Sequence, residues 1–284
     1  MAPCGLSTAR SYRHPVLPGD GLEFYFFQIP LFNMQLHTSR FKLAFKAMVV
    51  HFGLSLLVAA IVALLVFTLW FPYPYRELAG GRELFFLVMA VDIVCGPLLT
   101  FVLFSPTKPR KEMLTDISLI VLIQLLALCY GIWNVWLVRP LYVVQEADRL
   151  TIITRTSLDT RKLAALPADL QAPWFGGPVK VSLRPLTPSE EQQVIADIKA
   201  GGNDSAERPD FYIPFDGGKA YQNGRPLSNL SITHPNKQSE VDNVIAASSK
   251  YEAKQLRYVY IVGRHYWLVV INPVGDIIGF ISPQ

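Results

Sequence analysis

Cysteine is scarce in this chain: there are three, and none follows Cys129. The second half can therefore hold no disulfide, and no Cys/His spacing suits a zinc site. Cys4 lies in a mixed N-terminal stretch. Cys95 and Cys129 lie in apolar segments and are expected to be small buried packing residues. An excess of one charge is also missing, since 26 Lys+Arg against 22 Asp+Glu give a net charge of only +4. That is too small and too dispersed for nucleic-acid binding, and the positive excess lies beside apolar runs, where membrane topology explains it.

Catalytic patterns are absent as well. There is no G-x-S-x-G elbow, no P-loop, no G-x-G-x-x-G after a strand and no H-E-x-x-H. Carboxylates are scattered, and no pair at helical spacing stands out as an acid/base couple. His234, beside Pro235, and His265, in a predicted hairpin turn, read as surface or turn residues. No catalytic, cofactor-binding or metal-binding residue is assigned, and a non-enzymatic role is expected. A site assembled only in space leaves no such local trace.

What the chain does have is apolar length. Hydrophobic residues make up 51% of it and are concentrated in the first half, with mean hydropathy +0.29. The fold class expected is a membrane protein: three transmembrane α-helices, then a small α+β soluble domain closing in an antiparallel meander. Residues 1–36 are read as a tail, disordered or a mis-assigned start, because no apolar core there makes a signal peptide. Translation from Met34 is the alternative. Residues 37–139 are read as the membrane region and 140–284 as the soluble domain.

Helix 1 is expected at about 47–71, a run without Lys, Arg, Asp or Glu, preceded by Arg40, Lys42 and Lys46. Trp70, Phe71, Tyr73 and Tyr75 mark its far interface, and Pro72 and Pro74 stop it. His51, about one turn inside the near end, reads as a polar interface residue. Helix 2 is expected at 84–104 and helix 3 at about 116–138, with Trp133 and Trp136 at its far end. Three basic residues precede helix 1 and three lie between helices 2 and 3, against two between helices 1 and 2. Lys/Arg-rich segments stay cytoplasmic. The N-terminus is therefore placed inside and the C-terminal domain outside, which in a bacterium is the periplasm.

From Arg139 onward Lys+Arg number 16 and Asp+Glu 15, an ordinary solvated balance. Strands are expected at 141–145, 150–155 and 179–183, and a short helix at 160–166. Thr187-Pro188-Ser189-Glu190 is a capping box opening a helix that runs to Ala200 and stops at Gly201-Gly202. Asn203–Asn236, with four prolines, reads as loop-rich. A helix over 239–248 and strands over 256–262, 266–271 and 277–282 complete the chain, with the helices expected on one face of the meander.

Helix 2 holds residues that an apolar helix usually avoids. Asp92 is an ionisable group at membrane depth, by default a functional hypothesis. Gly96 permits close helix approach, and Pro97 removes a backbone hydrogen bond and favours a kink. Gln124 and Asn134 on helix 3 are polar enough to bond a neighbouring helix. In the soluble domain Trp174, Phe175, Phe211 and Tyr212 lie in Pro/Gly-rich segments, along with Phe215 and Tyr221. They either fill the domain's own core or form a partner-binding surface. Asp92, Gly96, Pro97, Gln124, Asn134, Trp174, Phe175, Phe211 and Tyr212 are thus the candidates for partner binding or helix packing.

Several motifs together carry a resemblance. Helix 1 closes in W-F-P-Y-P. Then come A-G-G, V-D-I-V-C-G-P-L-L-T-F-V-L-F-S-P-x-K, Q-L-x-A-L-x-Y-G and R-P. The second half adds A-D-R-L, the capped helix ending in A-G-G, a V-G-R turn and W-L-V-V-I-N-P-V-G-D-I-I-G. From about Arg40 to the C-terminus the chain resembles type IV pilin accessory proteins of the TfpX/TfpZ kind. The resemblance implies a bacterial inner-membrane protein that stabilises or helps assemble a type IV pilin, as a pilin-specific chaperone. The implied partners are the pilin's membrane helix and periplasmic head, together with the lipid bilayer. No nucleic acid and no cofactor are implied, and a homo-oligomer is left open. Rival readings are a membrane sensor or signalling subunit with a periplasmic ligand-binding domain, and an envelope enzyme. A small transporter is disfavoured, because three helices with one buried charge leave little room for a pathway.

Overall fold

The computed structural model describes residues 30–233, 235–248 and 250–282, with the side chains of 40–230, 236–248 and 250–282. Most of the 1–36 stretch and His234 lie outside the described residues. Helix α1 runs over Pro30–Leu65 and continues as one π-helical stretch, Val66–Trp70. It begins well before the expected 47, and Arg40, Lys42 and Lys46 lie on the helix rather than ahead of it. Nothing after Pro30 breaks a helix, and proline is well tolerated at the first helical position. A one-turn helix α2 (Tyr75–Leu78) follows, then α3 (Gly81–Leu103) and α4 (Arg110–Leu137). Helix α4 also starts earlier than expected, directly after Pro109. Three stretches, Arg40–Trp70, Gly81–Leu103 and Arg110–Leu137, are long and apolar enough to cross a membrane.

The second half is mixed helix and strand. Strands β1 (Pro140–Gln145) and β2 (Arg149–Thr154) form an antiparallel hairpin, and β3 (Val179–Leu183) pairs with β1 in parallel. Helix α5 (Pro188–Lys199) carries the expected capping box, with Thr187 and Glu190 bonded reciprocally. The segment expected to be loop contains β4 (Tyr212–Pro214), α6 (Gly217–Asn223), β5 (Arg225–Pro226) and α7 (Leu227–Thr233). Each is too short for its periodicity to show. Helix α8 (Gln238–Ala247) precedes the antiparallel meander of β6 (Arg257–Val262), β7 (Tyr266–Ile271) and β8 (Ile277–Ile281).

The meander is one end of a single eight-stranded sheet, ordered β4-β3-β1-β2-β6-β7-β8, with β5 also on β6. The joint is parallel: Leu150 of β2 lies opposite Ile261 of β6. Alternation along the strands separates the faces. One face gathers Val143, Leu150, Ile152, Val259, Ile261 and Val269 into a core that includes Ala220 of α6. On the other face Tyr258, Leu268, Val270 and Ile281 pack with Leu227 and Leu230 of α7 and Val241 of α8. Helix α5 does not share that cover, contrary to expectation. Its only buried residue is Val194, and Ile195 and Ile198 stay exposed.

The loop between the first two spans belongs to the sheet's core. Leu78 of α2 is fully buried among Val143, Leu150, Val259 and Ile261. Its carbonyl oxygen accepts from the backbone N–H of Arg264 at 2.8 Å and of His265 at 3.3 Å, in the β6–β7 turn. Gly263 makes that approach possible, since a Cβ there would stand 2.6 Å from the Leu78 oxygen. The 72–80 loop and the sheet therefore occupy the same end of the helix bundle.

Candidate functional site

The candidate residues of the second span sit where α3 meets α4. A Cβ on Gly96 would stand 2.1 Å from the Gln124 side chain, and one on Gly131 of α4 would stand 2.2 Å from Val88. Two glycines, one on each helix, thus set the spacing. They admit Gln124, whose Nε2 donates to the backbone oxygen of Asp92 at 3.0 Å. Gly96 and Pro97 are both buried. Gln124 bonds a neighbouring helix as expected. Asn134 does not: its Nδ2 donates to the Tyr130 oxygen of its own helix at 2.7 Å, one turn back.

Helix α1 closes the other side of this polar point. His51 Nδ1 and the Thr100 hydroxyl lie 2.6 Å apart, and Thr100 is almost fully buried. His51, Ser55, Asp92 and Gln124 line one small cavity of about 200 Å³ between α1, α3 and α4. His51, which the sequence suggests as a polar interface residue, instead meets a neighbouring helix, and Thr100 is a partner that the sequence does not single out. A hydroxyl one turn beyond Gly96 on α3 was the available signal.

On the opposite flank, α3 and α4 leave an open groove of about 710 Å³. Val91, Leu99, Ile123 and Tyr130 form its apolar walls, and Asp92, Gln124 and Asn134 supply its polar points. It extends to Thr156, at the foot of the sheet. Cys95 lines this groove, and Cys129 is likewise exposed, so neither is the buried packing residue expected. Their segments turn most of their apolar surface away from the bundle.

The aromatic candidates divide. Phe211 is buried, with the guanidinium groups of Arg184 and Arg208 4.9 and 4.6 Å from its ring centre. Tyr212 is buried against Tyr142 and donates its hydroxyl to the Ala206 oxygen at 2.6 Å. Burial raises its pKa above the usual phenol value. Both belong to the domain's own core and cannot form a partner surface. Trp174 and Phe175 are each 66% exposed. His265 is exposed in its turn.

Another concavity, of about 370 Å³, is lined by Asp159, Arg161, Lys162, Asp197 and Arg208. Its charges are engaged with one another or with Asp210: Arg161–Asp159 at 2.8 Å, Lys162–Asp210 at 2.7 Å and Arg208–Asp197 at 3.2 Å. Among the described residues no group of three or more His, Cys, Asp or Glu side chains is placed to hold a metal ion.

Comparison with known proteins gives a consistent set of relatives. The family model described as Fimbrial assembly protein FimB matches residues 39–80, from the start of the first span through the loop that enters the sheet core. "Fimbrial assembly protein, serogroup I" of Dichelobacter nodosus is 33% identical over 242 residues, covering 84% of this chain and 94% of that protein. The serogroup E1 protein of the same organism is 32% identical over 243 residues, covering 84% of this chain and 94% of its own. The protein of serogroups C1 and C2 is 47% identical over 120 residues, 42% of this chain and 92% of its own length. No solved structure matches.

Proposed function

Because the chain belongs to the fimbrial assembly protein family, the type IV pilin accessory proteins that its motifs resemble, we propose that it serves pilus assembly as a non-catalytic, pilin-specific chaperone. In this reading it lies in the bacterial inner membrane with its N-terminus in the cytoplasm. Residues 140–284 then form a periplasmic domain. The distribution of Lys and Arg supports this orientation. Leu78 ties the first inter-span loop to the sheet, so the two share one side in either orientation.

The observation that carries the reading is the groove between α3 and α4. A type IV pilin before assembly is a single-pass protein with an apolar helix and an outer head. Within lipid, apolar area gives little drive for association, so close packing and a few polar contacts decide it. The groove offers both: walls shaped around Gly96 and Gly131, and polar points at Asp92, Gln124 and Asn134. The pilin helix docks in this groove, and the sheet domain above it faces the head.

Deleting the protein lowers pilin abundance or surface pili, measured by immunoblot and by electron microscopy of the cells. Unchanged pilin levels and piliation would sink the proposal. A chain with tryptophan at Val91 and Leu99, which fills the groove, restores neither, whereas tryptophan at outward-facing Leu122 restores both.

A further inference from the structure

The loop 173–178 presents Trp174 and Phe175 to the outside, and it is held from three directions. Trp174 stacks on Trp136 with ring centres 5.0 Å apart, and Trp136 stacks on Trp133 at 4.9 Å, both in the closing turns of α4. The Arg139 guanidinium donates to the carbonyl oxygens of Pro173, at 2.9 Å, and of Trp174. A Cβ on Gly177 would stand 3.0 Å from Pro72, at the exit of the first span. The loop is thus level with the ends of two spans, the depth at which tryptophan concentrates in membrane proteins.

Charge at this place has one sign. The Arg155 guanidinium lies 4.5 Å from the centre of the Trp136 ring and that of Arg139 5.6 Å. Among the described residues neither is paired with a carboxylate. Burial first, and Arg155 second, lower the Arg139 pKa from its ordinary value. Arginine matches phosphate geometry with paired N–H donors, and two unneutralised guanidinium groups beside a membrane surface complement an anionic headgroup.

We propose that this loop is a lipid-binding element. Trp174 and Phe175 enter the headgroup–acyl boundary of the leaflet on the sheet-domain side, and Arg155 binds the phosphate of an anionic phospholipid there. Continuity with the span ends and the unpaired positive charge favour lipid over a protein occupant. The inference stands apart from pilin docking.

The test uses the full chain in nanodiscs of phosphatidylethanolamine and phosphatidylglycerol, with Cys4, Cys95 and Cys129 replaced by alanine. A spin label at Phe175→Cys is relaxed more by lipid-dissolved oxygen than by an aqueous nickel complex, and a label at Ile198→Cys on α5 shows the reverse. Arg155→Gln lowers the phosphatidylglycerol retained through purification by about two-fold, the effect of losing one surface ion pair. A 175 label as water-accessible as the 198 label overturns the proposal. So does a label shielded only on adding pilin, or one coupled to a second label in a dimer. Unchanged phosphatidylglycerol retention overturns the phosphate assignment.

Discussion

The helix bundle and the sheet domain bury their residues by opposite rules. In the sheet domain β1 is buried at all six positions, and the core is built from aliphatic side chains meeting from both faces. In the most apolar stretches of the three spans only 11%, 22% and 11% of residues are buried within the chain, although these stretches are strongly apolar. In the proposed membrane setting lipid solvates the rest. The bundle is joined by one apolar cluster, with Val66, Phe71, Phe85, Met89, Leu128 and Val135 at its centre, and by a few close contacts, Gly96 with Gln124, Gly131 with Val88 and His51 with Thr100. The difference teaches that the same substitution should act through cavity formation in one region and through lost approach in the other.

The largest effect is expected where the regions join. Leu78→Ala empties a fully buried site in the sheet core and should cost about 2–5 kcal/mol, read as a fall in the thermal midpoint of the sheet domain. A span mutation that disturbs the sheet equally would break the contrast. Next, Gly96→Leu drives a side chain into Gln124 and should cost about 1–3 kcal/mol by overpacking. Disulfide trapping between α3 and α4 should show the helices moved apart while the sheet's thermal midpoint holds.

Thr187→Ala removes the cap of α5 and should cost about 1 kcal/mol, measured by chemical denaturation of the sheet domain. Glu190, on the same cap, has its pKa lowered to about 2, first by Arg184 and then by the Thr187 backbone and hydroxyl. A lowered folded pKa means its contribution is present above the ordinary carboxylate range and is lost as pH falls through about 2. The smallest effect belongs to Gln124→Leu, about 0.6 kcal/mol for one interhelical hydrogen bond in a membrane. A much larger loss would mean that the polar cavity at Asp92 and His51 does more than hold helices together.

The sequence made visible whatever rests on local pattern. The three apolar runs, the Thr187 capping box and the closing meander all follow from periodicity and punctuation. Pairings between distant segments left no such mark. The parallel joint of β2 with β6 and the insertion of Leu78 into the sheet involve residues more than 100 and 60 positions apart. Short elements inside the Pro-rich 203–236 stretch were likewise hidden. At the site, Gly96 announced a close approach but not Gln124 as its neighbour. Composition alone could not separate Phe211 and Tyr212, which fill the core, from Trp174 and Phe175, which face outward.

The central claim is that the α3–α4 groove receives a pilin helix. It is tested most directly by a photo-crosslinking amino acid at Val91, more than half exposed in the groove wall, in cells that express the pilin. The account predicts a crosslink to the apolar helix of the pilin that is lost in Gly96→Leu, with none from a probe at outward-facing Leu122. Crosslinks only to lipid or to a second copy of the chain would contradict it.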